Sequence, residues 1–420
     1  MKRVNGVLSF CQSGIKHTSV ITLLVVGLIF NLNSQADNPQ PLRFYIDSDF
    51  SHHFESAESI QRGVNTALFE VEHRIQGRKV ELVVTDHRGN SKRAKKNMQR
   101  YVDDPNALVY YGGLHSPPLI KYRQFIHDNG MLVLASWSAG APITRQPSAD
   151  NSVFRLSVDD SKAGEFITEY ASTQKSCKTP HLLLDNGPWG DSNLRNMSKA
   201  LADRGLKAHG VTRFGWNIND VSANTIIRKI VDGVPECIYL VSTPFEAAAF
   251  VNAMRKIPKA QRIPFVSHWG ITGGDFHKLV NAKARKEIEL SFLQTCFSFN
   301  QQPLKPFAQG VFEQAQSIYP NIETSHDIKA PVGFIHAYDI TRLLLAALNK
   351  ISLSDDIVAN RRAIKSALET LDTPVQGLIK TYEQPFSVFS DDNLDAHEAL
   401  SIDNYCMARY GDNDEILLIQ

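Results

Sequence analysis

From Leu42 onward, short apolar runs alternate with longer stretches of helical period, and this pattern runs through twice in series. Such alternation selects parallel strands covered by helices, because a parallel pair needs a crossover long enough to hold a helix. In the first run Leu42–Ile46 predicts a strand, and Ile60, Val64, Ala67, Leu68, Val71 and Ile75 fall on one helical face. Val80–Thr85, Ala107–Tyr111 and Met131–Ala135 predict three further strands, separated by a basic helix near Lys92–Val102 and a helix over Pro117–His127. The pattern restarts with strands over His181–Leu184, Ala208–Phe214, Cys237–Val241 and Pro264–Ser267. Helices over Ser192–Ala202, Val221–Val231 and Phe245–Met254 lie between them. The expected fold class is α/β, with two doubly wound parallel-sheet lobes.

The last third predicts a strand over Glu289–Phe299, an amphipathic helix over Phe334–Asn349 and a helix over Arg361–Leu371. Late strands follow over Asn404–Arg409 and Ile416–Ile419. These pieces are expected to complete the sheets already begun, so the chain crosses between lobes more than once. One lobe is expected to comprise residues 37–156 with 300–385, the other 157–299 with 386–420. Several crossing strands then make a hinge, with a cleft beside it.

The first 36 residues are expected to be a cleavable signal peptide. Lys2, Arg3 and Lys16 precede an apolar run, Val20 to Phe30, followed by the small-x-small site Ser34-Gln35-Ala36. The alternative, a membrane anchor, needs about 20 apolar residues, and the run is shorter. Cys11 lies before that run and follows Phe10, which does not suit lipid attachment. An unanchored secreted protein stays near its cell only behind a second membrane, which points to a Gram-negative periplasm. Cys177, Cys237, Cys296 and Cys406 then enter an oxidising compartment, where two disulfides in any of three pairings can form. Cys177 with Cys237 is attractive because each just precedes a predicted strand, leaving Cys296 with Cys406; buried free thiols are the alternative. The formal net charge of the 420-residue chain is +1, with no basic block, which argues against nucleic acid as a partner.

Six stretches in order resemble the type I periplasmic solute-binding proteins of the Leu/Ile/Val-binding (branched-chain amino acid) class, which serve ABC importers. They are Ile60–Val71, Thr85–Ala94, Tyr111–Ser116, Leu134–Pro142, Phe154–Arg155 at the first interlobe crossover, and Asp185–Gly190. The resemblance covers nearly the whole chain after the leader. It implies the periplasmic binding protein type I fold, hinge closure on a small ligand and no catalysis.

Candidate ligand-binding residues follow from the loops. Ser116 is a natural N-cap for the helix beginning at Pro117, and the helix N-terminus there favours an anion. His115 precedes it. Trp137, Ser138 and Ala139 sit where the fourth strand ends, the edge at which open α/β sheets bind ligands. In the second lobe Trp189 reads as a loop residue offering a flat indole face, and the resemblance adds Thr243, although Glu246 is an alternative cap there. His268 and Trp269 stand where amino-acid binders of this class place an acidic residue, which argues for an aromatic, cationic or less charged ligand. His52, His53 and His115 suggest a metal only weakly, since their spacing matches no metal-ligand pattern; solvated or ligand-facing histidines are expected.

The expected function is therefore a periplasmic solute-binding protein that hands a small ligand to an ABC permease, acting as a monomer without cofactor or metal. One alternative is a sensing subunit that signals to a membrane receptor. The other is a secreted serine hydrolase, with Ser138 as nucleophile in a degenerate Ser-x-Ser-x-Gly elbow and Asp339 and His397 as partners.

Overall fold

The computed structural model describes residues 40–419. The expected signal peptide and Cys11 lie outside the described residues. The first sheet contains β1 (Leu42–Ser48), the short β2 (Arg74–Ile75), β3 (Arg78–Asp86), β4 (Ala107–Gly112), β5 (Val133–Ala135) and β6 (Val153–Arg155). Its spatial order is β2-β3-β1-β4-β5-β6, parallel except for the β2–β3 hairpin. Helices α1 (Phe54–Phe69), α2 (Ser91–Asp103), α3 (Ser116–Lys121) and α4 (Arg123–Asp128) connect these strands. The helical period through Val71 and Ile75 overruns the helix. α1 ends at Phe69, and Ile75 instead buries its side chain from the hairpin strand β2.

The second sheet holds β7 (Pro180–Asp185), β8 (Gly210–Phe214), β9 (Cys237–Val241), β10 (Phe265–Ser267) and β11 (Leu290–Thr295). They are linked through α5 (Asp160–Gln174), α6 (Pro188–Asp203), α7 (Asp220–Asp232), α8 (Pro244–Arg255) and the one-turn helices α9 (Phe276–Leu279) and α10 (Ala282–Arg285). The chain then returns to the first lobe with α11 (Pro306–Ile318), α12 (Pro331–Leu348), α13 (Ile357–Glu369) and the hairpin β12 (Val375–Gln376) and β13 (Thr381–Tyr382). It crosses once more to close the second sheet with antiparallel β14 (Tyr405–Tyr410) and β15 (Ile416–Ile419). Both disulfides, Cys177–Cys237 and Cys296–Cys406, join elements of this second lobe.

α12 is not amphipathic. Fifteen of its eighteen residues are buried, leaving only Pro331, Arg342 and Ala346 partly open. Its polar side chains are buried with partners: His336 Nε2 lies 3.0 Å from Thr295 Oγ1, and Asp339 accepts from the Leu378 and Ile379 N–H groups. A helix buried all round must be covered on every side, and α1 lies against it so closely that a Cβ on Gly63 would sit 2.3 Å from the Phe334 carbonyl oxygen.

The crossovers are tied together by a buried ionic cluster. Arg155, at the end of β6 and fully buried, donates Nε to Glu398 Oε2 at 2.8 Å and Nη2 to Glu398 Oε1 at 2.6 Å. Nη2 also lies 3.0 Å from Asp159 at the start of α5. The backbone repeats the link: Arg155 N–H donates to His397 O, and Ala399 N–H to Arg155 O. A buried carboxylate left without its guanidinium keeps its desolvation cost. Arg155→Met should therefore lower the unfolding free energy by about 3–5 kcal/mol, as read from urea denaturation followed by circular dichroism.

Candidate functional site

The two sheets share one winding. In each, the first strand in the chain lies between the second and third main strands, giving β3-β1-β4-β5-β6 and β8-β7-β9-β10-β11. Loops leaving adjacent strands in opposite directions open a crevice at the strand C-termini on either side of that first strand. The two crevices face each other. From the first lobe come the loops after β4 and β5, with Leu114–Pro117 and Trp137–Ala139; from the second come Trp189, Trp216, Thr243 and Trp269–Gly270. The space between them, counted with its opening to solvent, is about 330 Å³.

All four tryptophans of the chain line this space. Trp137 and Trp269 meet across it, ring centroids 6.1 Å apart. Trp189 packs edge-on to His268 at 5.3 Å and donates Nε1–H to Asp160 Oδ1 at 3.2 Å. Gly270 is required beside it, since a Cβ there would stand 2.5 Å from the Trp189 ring. Trp216 lies 4.9 Å from the His115 ring. Its loop is held by Glu246, which accepts from the Asn217 N–H at 2.8 Å and from the Thr243 hydroxyl.

Several buried polar atoms around this space have no partner. They include Trp137 Nε1, Asp160 Oδ2, Asp185 Oδ1, Ser242 Oγ and His268 Nδ1. His268 Nε2 is 3.2 Å from Asp160 Oδ1 but out of line for a hydrogen bond. In folded proteins most buried polar atoms are paired, so a group of orphans at one place needs an explanation. At the first-lobe edge Asp49 Oδ2 receives His53 Nδ1 at 3.2 Å and His115 Nε2 at 3.4 Å. Burial raises the Asp49 pKa, but the hydrogen bonds from these two histidines outweigh it and hold the carboxyl well below its ordinary range. Burial depresses His115 and takes His87 down to about 3.

A family model described as periplasmic binding protein matches residues 49–393. The chain belongs to that family. No curated protein matches it in sequence. A type 1 periplasmic binding protein from Bordetella pertussis superposes with a TM-score of 0.74 at 16% identity, covering 90% of this chain and 99% of that one. The branched-chain amino acid transporter substrate-binding protein of Streptococcus pneumoniae, in complex with isoleucine, gives 0.71 at 16% identity, covering 90% and 100%. A solute-binding protein of an ABC transporter from R. palustris, in complex with benzoate, gives 0.70 at 15% identity, covering 90% and 95%. At such identities the likeness is one of fold.

In this periplasmic binding protein seven of the nine sequence-predicted site residues line the interlobe space: His115, Ser116, Trp137, Ala139, Trp189, Thr243 and Trp269. Ser138 and His268 lie just behind it, fully buried. Three expectations are corrected. Ser116 does not cap its helix; the N-cap is His115, and the Ser116 hydroxyl instead accepts the Gly140 N–H at 3.0 Å. The helix expected over Pro117–His127 breaks at Tyr122, so α3 has six residues and little dipole to offer an anion. Trp189 is on the first turn of α6, not on a loop, because Pro188 suits the first helical position.

The hydrolase arrangement does not form. Ser138 donates to Gly113 O at 2.5 Å, Asp339 holds the Leu378–Ile379 turn, and His397 bonds Val153 O and Glu369. Trp216 also lines the space, and Asp160 stands beside it as the partner of Trp189. Each follows a strand or opens a helix, as the predicted residues do, and Phe214-Gly215-Trp216 carries the same strand-then-aromatic signal as Trp189.

Asp185, at the end of β7 beneath α6, is pushed up to about 7, mainly by burial and against the opposing charge of Arg213. Its folded pKa exceeds the unfolded value, so its protonated form stabilises the fold at low pH and that contribution is lost as pH rises through about 7. Between about pH 4 and 8 this group's own share of the stability should therefore fall, on the order of 3 kcal/mol. Asp185→Asn should flatten that fall, measured by thermal denaturation across the pH series.

Proposed function

We propose that this chain is the periplasmic solute-binding component of an ABC importer, and that it closes on a small ligand with a flat aromatic or cationic face. The leader expected over residues 1–36 would deliver it across the inner membrane. Membership in the periplasmic binding protein family supports the general reading, as do relatives in complex with isoleucine and benzoate, both small solutes. The observation that carries the ligand class is the lining of the cleft by every tryptophan in the chain, with Asp160 beneath Trp189 and His268.

Indole faces attract cations through the ring quadrupole and aromatic rings through offset stacking. Among the described residues lining the space none is Lys or Arg, so a carboxylate would find no positive partner there. A ring bearing an amine, an aromatic amide or a quaternary ammonium fits better. Polar recognition falls to groups with unused capacity. The Ser116 hydroxyl accepts from Gly140 and keeps its own proton to donate, and Trp137 Nε1–H is free. Ser138 acts indirectly, its hydroxyl fastening the β5 loop to the β4 loop through Gly113 O and His115 O.

Binding to the folded state raises its melting temperature. A thermal-shift screen of aromatic amines, quaternary ammonium compounds, polyamines, amino acids, amides and aromatic acids should give its largest shifts with aromatic or cationic members. Trp189→Ala and Trp216→Ala should each weaken the best of these more than about tenfold, as loss of a desolvated cation–π or stacking contact implies. Largest shifts with aliphatic acids, or unchanged affinity in both variants, would overturn the ligand class.

A further inference from the structure

Three buried donor atoms converge at the first-lobe edge of the cleft. Asp49 leaves β1, His53 immediately precedes α1 and His115 immediately precedes α3. Asp49 Oδ2 stands 3.2 Å from His53 Nδ1 and 3.4 Å from His115 Nε2, and the three residues offer ligand atoms all within 4.8 Å of one another. Metal–ligand bonds of about 2.0–2.1 Å at tetrahedral angles place donor atoms roughly 3.3 Å apart. Two of the three edges already have that length.

The surroundings orient the donors. Asp49 Oδ1 is occupied by the His52 N–H at 2.9 Å and faces His52 Nδ1 at 3.1 Å, so the carboxylate presents Oδ2 to the histidines. An outer partner of this kind fixes a ligating carboxylate. Gly89, at φ +63°, packs directly on the cluster: a Cβ there would sit 3.2 Å from Asp49 Oδ2 and 4.0 Å from His115 Nε2. The second lobe covers the cluster, with Trp216 against His115 and Phe245 edge-on to His53 at 5.5 Å.

We propose that Asp49, His53 and His115 bind one divalent first-row transition-metal ion, with a fourth position open toward the interlobe space that His115 lines. Two imidazoles and one carboxylate suit Zn²⁺, Co²⁺ or Ni²⁺, whereas Mg²⁺ and Ca²⁺ require oxygen ligands. The ion displaces whatever protons bridge Oδ2 to the two ring nitrogens. The site does not rest on the importer reading: it shares His115 with the wall of the interlobe space, but Asp49 and His53 lie outside that lining, and none of the three is among the tryptophans that define the ligand class.

The test uses the secreted protein, free of affinity-tag histidines and stripped with a chelator. Co²⁺ is titrated by visible absorption and Zn²⁺ by calorimetry. One Co²⁺ per chain is expected, with the intense bands of a four-coordinate site that Zn²⁺ then abolishes. Asp49→Asn and His53→Gln should each weaken binding by at least about 100-fold, the upper range for losing even an outer partner. His209→Gln, exposed before β8 at the strand end away from the cleft, should bind as wild type does. Melting curves in chelator identify any variant that fails to fold, and either of the two ligand variants suffices alone. Absence of saturable uptake by the wild type, or wild-type affinity in a folded ligand variant, would overturn the site. Either result leaves the solute screen unaffected.

Discussion

A guanidinium with no access to water stands where the two halves of this protein join, and the arrangement of the cleft depends on it. Arg155 holds Glu398 in two-point contact and Asp159 beside it, so the first and last crossover segments share one buried charge cluster. Its third nitrogen reaches the other way, donating to Gly140 O at 2.9 Å. The β5 loop with Trp137, Ser138 and Ala139 is therefore fixed by the same side chain that ties the crossovers together. Since a buried charge must keep its partners, these segments keep their spacing together or lose it together.

The cleft combines hydrophobic faces with polar atoms that the protein itself leaves unpaired. Leaving a buried donor or acceptor without a partner costs about 1–3 kcal/mol. Trp137 Nε1, Asp160 Oδ2 and His268 Nδ1 each carry such a cost. A ligand that satisfied them would recover it, and one of the right shape with misplaced polar atoms would not. Under the proposed reading the indole surfaces would set affinity and the orphaned atoms selectivity. Such a division would let a single fold serve different ligands by exchange of loop residues.

Much of the fold was legible in the sequence because apolar periodicity reports burial on one face, and most elements here are buried on one face. Where burial takes another form, the reading strays. α12 is covered on all sides, so its His336, Asp339 and Thr341 look like a polar face and are in fact core groups with internal partners. Ile75 matches the helical period of α1 but belongs to a hairpin that starts after the helix has ended. The candidate site was legible where a loop follows a strand with small or aromatic residues, as at Ser116 and Trp269. Trp216 carried the same signal without any family motif around it. Asp49, His53 and His115 are separated by up to 66 residues, and no local spacing can show that they meet.

The disulfides are distributed unevenly. Cys177–Cys237 ties the approach to β7 to β9, and Cys296–Cys406 ties the end of β11 to β14, so both staples lie in one lobe and neither spans the cleft. Cross-links act largely by restricting the unfolded chain, and here the restriction falls on one half alone. Oxidation on reaching the periplasm would thus harden the second lobe and place no covalent link across the cleft. The first lobe, without covalent reinforcement, becomes the part whose packing sets how much heat the whole molecule tolerates.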